Sequence, residues 1–82
     1  MPIFLGDLNV DDEDAETAEL TFRQLECLEL VARGLTDTAI ARKLQVRETT
    51  VRWHLDKARR KLSASTRSEA VAQAAWRGLI KP

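Results

Sequence analysis

Only three residues, Gln45-Val46-Arg47, separate two stretches that each carry an apolar stripe at helical spacing. Ala39, Ile40, Ala41 and Leu44 form the stripe before the gap; Val51, Leu55, Ala58 and Leu62 form the one after it. Three residues allow nothing but a tight turn, so both stripes must reach one core and the two helices must cross at once. Ala41 is small enough for a close crossing, and Val51 is a β-branched residue placed to face back.

This is the spacing of a helix-turn-helix, although an αα-hairpin in an ordinary bundle shares it. Many such motifs carry glycine where this chain has Gln45.

Two further helices flank the pair. Thr21 and Gln24 have the spacing of a capping box, and Leu20 with Leu25 that of a hydrophobic staple, so a helix starts at Thr21. Leu25, Leu28 and Ala32 continue its stripe, and Gly34 supplies the left-handed stop. Thr36 caps the second helix. The third runs from about 48 to 62. Thr66 and Glu69 repeat the capping-box spacing at the start of a fourth. Val71, Ala72, Ala75 and Trp76 are its apolar positions, with Trp76 read as core, and Gly78 ends it. No segment alternates as a strand does. The expected fold is all-α: an acidic leader over 1–19, read as a solvated and mobile segment, then a four-helix domain over 20–82.

At 100° per residue from Arg52, the third helix keeps Val51, Leu55, Ala58 and Leu62 between about −60° and −120°. Thr49, Arg52, Asp56, Arg59 and Arg60 fall between about −20° and +80°, and Trp53 near +100°. A helix anchored on one side and lined by Arg, Thr and Trp on the other suits the DNA major groove, where Arg grips guanine O6 and N7. Residues near the start of such a helix reach deepest. Thr49, Arg52, Trp53 and Asp56 are therefore the candidate base contacts. Thr36, Arg47, Thr50, Lys57, Arg59, Arg60 and Lys61 are the candidate phosphate contacts, which fix register without reading sequence.

The formal net charge is zero, but it is divided. Residues 1–20 hold seven acids and no base; residues 21–82 hold all thirteen bases and six acids. An acidic leader thus precedes a basic domain. The leader also carries Ile3, Phe4, Leu5, Leu8 and Val10, so contact with its own basic face or with a protein partner is open. No apolar run approaches the roughly 18 residues that a membrane span needs, and no signal peptide is legible. A single cysteine excludes a disulfide framework and a multi-thiolate zinc site, so a reducing cytoplasm is the expected location. His54 and Cys27 read as a structural histidine and a packing residue near the first helix's surface. No catalytic residue, metal or cofactor is expected.

Residues 20–80 resemble the DNA-binding domain of LuxR-type (GerE-type) transcription regulators. The stretches that carry the resemblance are Leu20-Thr21-Phe22-Arg23-Gln24-Leu25-Glu26, Gly34-Leu35-Thr36, Ile40-Ala41-Arg42-Lys43-Leu44 and Thr50-Val51-Arg52-Trp53-His54-Leu55. Arg60-Lys61-Leu62, Arg67-Ser68-Glu69-Ala70-Val71-Ala72 and Gly78-Leu79-Ile80 complete it. Ala58-Arg59-Arg60-Lys61-Leu62 is similar to the quorum-sensing branch. The resemblance implies a third helix in the major groove, with groove contacts at Arg52, Trp53 and Asp56. It also implies a fourth helix that pairs two copies on an inverted-repeat operator. Ala70, Gln73, Ala74 and Arg77 are the residues expected at that dimer interface.

Three positions depart from the family pattern. Gln24 stands where Glu is frequent, Arg47 where Ser caps the recognition helix, and Asp56 where a base or a neutral polar residue is common. An aspartate beside DNA is repelled by phosphate unless it accepts from cytosine N4 or pairs with Arg52 or Arg60. Arg67 either bridges to Glu26 or meets phosphate.

The expected function is sequence-specific binding of double-stranded DNA by a homodimeric transcriptional regulator. The ligand-binding or phosphoacceptor domain that many relatives carry upstream is not in the sequence. The chain is then a stand-alone regulator or an excised domain. The alternative is an anti-activator or adaptor that heterodimerises with a full-length relative, a reading favoured by the acidic leader and Asp56. A sigma-factor region-four-like module shares the helix-turn-helix but not the fourth-helix motif.

Overall fold

The computed structural model describes residues 19–81, so the acidic leader up to residue 18 lies outside the described residues. Four helices follow in order: α1 Phe22–Ala32, α2 Asp37–Leu44, α3 Glu48–Lys61 and α4 Arg67–Trp76. The described residues contain no strand.

Side-chain caps start three of the four helices. Thr21 completes a full capping box: its hydroxyl accepts from Gln24 N at 3.0 Å, and Gln24 Oε1 accepts from Thr21 N at 3.1 Å. Thr36 Oγ1 accepts from Ala39 N, and Thr66 Oγ1 from Glu69 N, both at 3.1 Å. The second capping box differs from its expected form. Glu69 Oε1 accepts from Ser65 N at 2.8 Å, one residue ahead of the cap. Arg47, at the start of α3, makes no side-chain cap hydrogen bond, as its guanidinium carries donors only.

All four helices stop in the same way. A residue in the left-handed region follows each one: Gly34 (φ 94°), Gln45 (φ 59°), Ser63 (φ 55°) and Gly78 (φ 75°). At each end the next residue donates back across the last turn. These bonds are Leu35 N to Leu30 O (3.1 Å), Val46 N to Ala41 O (3.0 Å), Ala64 N to Arg59 O (3.0 Å) and Leu79 N to Ala74 O (2.8 Å). This is the Schellman arrangement, which satisfies carbonyls that a helix end would otherwise leave open. Glycine takes that backbone without strain; Gln45 and Ser63 do not.

One core joins all four helices. Leu28 and Leu30 of α1, Ile40 and Ala41 of α2, Val51, Leu55 and Ala58 of α3, and Ala70 and Ala74 of α4 are buried in it, with Leu62, Ala64 and Ile80. Cys27 is wholly buried in this core rather than near the surface of α1. Gln24 is also fully buried, and its Oε1 receives Lys61 Nζ at 3.1 Å as well as closing the capping box.

The face of α4 differs from the expected one. Trp76 is 90% exposed, while Ala70 and Ala74 are fully buried. The buried stripe is therefore turned by about 160° from one through Ala72 and Trp76. Small side chains on this stripe let α4 lie close to its neighbours, and a Trp there would hold the helices apart.

Candidate nucleic-acid interface

The fold buries one side of α3 and leaves the other to solvent. Val51, Leu55 and Ala58 are buried as their periodicity predicts, and Thr50 and His54 widen that side. Thr50, expected at a phosphate, is thus only 9% exposed and packs inward. Glu48, Thr49, Arg52 and Arg60 are exposed, and Trp53, Asp56, Lys57 and Arg59 are half-buried around them.

Arg52 stands on the outward face with a long ion pair to Glu48, 3.5 Å, one turn earlier. Glu48 Oε2 also accepts from Thr38 Oγ1 at 2.8 Å, which ties the first turns of α2 and α3 together beside the three-residue turn. Trp53 meets the buried ring of His54 edge-on, with centroids 5.6 Å apart and planes at 81°. Lys57 Nζ lies 5.2 Å from the centre of the Trp53 ring, a cation–π distance at helical i, i+4 spacing. Trp53 is thereby held between His54 and Lys57, which limits its rotamers.

Asp56 pairs with two bases of its own helix, neither of them Arg52. Arg59 Nη2 donates to Oδ1 at 2.9 Å and Arg60 Nε lies 3.1 Å from Oδ2. The Arg59 hydrogen bond, with the nearby charges of Arg60 and Lys57, outweighs desolvation and holds the Asp56 carboxyl below the usual carboxylate range. Arg59 also donates to Ala64 O at 3.0 Å, so much of its donor set closes the turn after α3.

Lys61 is on the opposite side of α3 from Arg52. Its ammonium donates to Glu19 O at 2.8 Å and to Gln24 Oε1 at 3.1 Å. That places it against α1, away from the surface where the expected phosphate contacts gather. Thr36 is exposed, but its hydroxyl caps α2. Arg47 is exposed at the turn before α3. Arg67 follows neither of its two expectations: it makes a bidentate pair with Asp37, at 2.7 and 3.2 Å.

On α4, Ala70 and Ala74 are inside the domain's own core and cannot meet a second copy. The outer side instead forms a shallow recess lined by Glu69, Ala72, Gln73, Trp76 and Arg77. Gln73 and Arg77 are among the expected interface positions; Trp76 and Ala72, whose spacing points to the core, line the recess with them. The signal that could have found them is the i, i+4 pair Ala70 and Ala74, which marks a close-packed stripe and leaves Trp76 outside.

Residues 18–74 match the family model described as bacterial regulatory proteins, luxR family. The chain belongs to this family. Among its relatives, the HTH-type transcriptional regulator AlkS of Alcanivorax borkumensis is 35% identical over 82 residues, covering 90% of this chain and 9% of that protein. The HTH-type quorum sensing-dependent transcriptional regulator RpaR of Rhodopseudomonas palustris is 45% identical over 62 residues, 76% of this chain and 26% of its own length. The transcriptional activator protein VanR of Vibrio anguillarum is 34% identical over 79 residues, 95% of this chain and 33% of its own. The luxR-family chain therefore spans between 9% and 33% of these three relatives' lengths. Among the described residues no helix is long and apolar enough to cross a membrane.

Proposed function

We propose that this luxR-family chain is a sequence-specific DNA-binding transcriptional regulator that inserts α3 into the major groove and pairs through α4. The observation that carries the reading is the outward stance of Arg52 and Arg60 on a helix whose opposite side is locked in the core. An α-helix fills the major groove, and a guanidinium there distinguishes guanine from other bases. Arg52, Thr49 and Trp53, on the first half of α3, are the base readers. Arg60, Lys57 and Arg47 meet phosphate, and Arg59 contributes only part of its donors. Asp56 tempers this face, since it neutralises charge that phosphate would otherwise attract. Trp76 with Ala72 and Gln73 supplies an apolar patch for the second copy, which suits an inverted-repeat site.

Selection of bound sequences from a random DNA pool tests this reading. An enriched motif with two inverted halves is expected; enrichment of no motif at low salt contradicts it.

Trp76 also favours a second reading, in which the patch on α4 takes a full-length luxR-type regulator and the heterodimer no longer binds its operator. Mixing the chain with such a regulator and following operator occupancy separates the two: displacement supports the adaptor, additive binding supports the regulator.

A further inference from the structure

Between α3 and the start of α4 lies an open cleft of about 380 Å³. Arg52, Asp56 and Arg59 form its α3 wall, and Ser65, Thr66 and Arg67 the facing one. Three guanidiniums thus line it against one carboxylate, whose two oxygens are already held by Arg59 and Arg60. The facing wall is fixed before any ligand arrives. Glu69 Oε1 accepts from Ser65 N at 2.8 Å, Arg59 Nη1 donates to Ala64 O at 3.0 Å, and Arg67 is clamped on Asp37. Ser65 and Thr66 each bring a hydroxyl to the cleft. Ser65 is exposed, and Thr66 Oγ1 only accepts from Glu69 N, so its hydrogen can still be donated. Around α3, Trp53 and Lys57 stand at about +100° and +140° from Arg52, while Arg59 and Leu55 stand at about −20° and −60°, on the cleft's side. A helix about 10–12 Å across fills a groove about 12 Å wide, so each of its flanks meets one backbone strand. Lys57 serves one flank. On the other, Arg59 has donors committed to Asp56 and Ala64, and the wall from 65 to 67 stands next to it.

We propose that the cleft between α3 and α4 seats one backbone phosphate of the DNA strand on that flank, with Ser65 and Thr66 donating hydroxyl hydrogen bonds and Arg59 and Arg67 supplying charge. This rests on the DNA-binding reading above. It makes Ser65 and Thr66 phosphate contacts that lie outside the helix-turn-helix. A phosphate held there also fixes the roll of α3 in the groove, on which the aim of Arg52 depends.

The test sets Ser65→Glu against Ser68→Glu in the full chain, with thermal melting to confirm the fold. Both variants add one negative charge at an exposed serine near the start of α4, but of the two only position 65 lines the cleft. Ser65→Glu should weaken specific and nonspecific duplex DNA alike, about tenfold at about 50 mM salt, lower the salt slope by about 0.9, and leave the selected sequence unchanged. Ser68→Glu should weaken binding by no more than about twofold, with the slope kept. Ser65→Ala, which adds no charge and spares the fold, should weaken both kinds of DNA about threefold, the scale of one hydrogen bond. Ethylation of one phosphate per half-site should weaken the parent chain and leave Ser65→Glu no weaker. Equal losses for the two glutamate variants, with no phosphate whose ethylation separates them, would show a net-charge effect alone and overturn the proposal. Saturation of the Ser65 and Thr66 amide resonances by inorganic phosphate, with DNA affinity indifferent to Ser65→Glu, would assign the cleft to a free anion and overturn it too. A parent chain that binds no duplex DNA would overturn it together with the reading it rests on.

Discussion

The guanidinium of Arg67 grips the carboxylate of Asp37 through two hydrogen bonds, 2.7 Å to Oδ1 and 3.2 Å to Oδ2. The pair joins the first residue of α4 to the first residue of α2, and so fixes how the leading helix of the helix-turn-helix sits on the rest of the domain. Asp37 is also the only acid in the first turn of α2, where a negative charge is favoured by the helix dipole. A bidentate pair with partly shielded partners contributes about 1 kcal/mol. In a domain of this size that is a melting shift of about 4–8 °C. A double-mutant cycle with Arg67→Met and Asp37→Asn should return a coupling of about that size. Strictly additive losses would mean that the two side chains do not act on each other in solution.

The helix ends differ in how well their residues suit the left-handed backbone. Gln45→Gly and Ser63→Gly should each stabilise the fold by about 0.5–1 kcal/mol, since an L side chain is strained at these φ values. Urea denaturation measures this directly. A loss of stability at either position would show that its side chain makes a contact worth more than the strain.

Trp76 and Ala74 invite opposite outcomes from one helix. Trp76→Ala should leave stability within about 0.5 kcal/mol, as expected for an exposed site, and abolish self-association in sedimentation. Ala74→Leu should cost about 1–3 kcal/mol, because it overfills a closed core. If Trp76→Ala unfolds the protein while Ala74→Leu is silent, the orientation of α4 is wrong.

Asp56 remains ionised well into acid, because the bond from Arg59 and the charges of Arg60 and Lys57 favour its carboxylate. Its titration midpoint, followed by carboxyl carbon resonance, should lie below that of an ordinary aspartate. The sign for stability follows: the folded state binds fewer protons than the unfolded state in the window below that ordinary value. This contribution is present at neutral pH and disappears as pH falls through the lowered midpoint. Asp56→Asn removes that dependence, frees Arg59 and Arg60, and should strengthen nonspecific DNA binding at low salt. Weaker binding by the variant would instead assign Asp56 a direct role at a base.

Most of the frame could be read from the chain because its signals are local. Thr21, Thr36 and Thr66 cap where their spacing says they should, and the tight turn over Gln45-Val46-Arg47 follows from having three residues between two stripes. The side of α3 that faces outward was equally legible at Arg52 and Arg60, since Val51, Leu55 and Ala58 fix the helix's rotation. Long-range pairings left no such trace. Nothing near Arg67 in sequence points to Asp37, and Lys61 meets Gln24 across two helices. His54 is buried, in keeping with its reading as a structural histidine, whereas Thr50, expected at a phosphate, went inward beside it. In α4, size misled: the largest apolar residue is outside because the closest packing selects the smallest.

If Arg52 reads a base from the outward face of α3, binding-site selection with Arg52→Ala reports on that contact alone. The expected result is a loss of about 1–3 kcal/mol in specific affinity, with discrimination relaxed at one base position of each half-site and the others kept. An Arg52→Ala protein that selects the same sequences with the same affinity would contradict it.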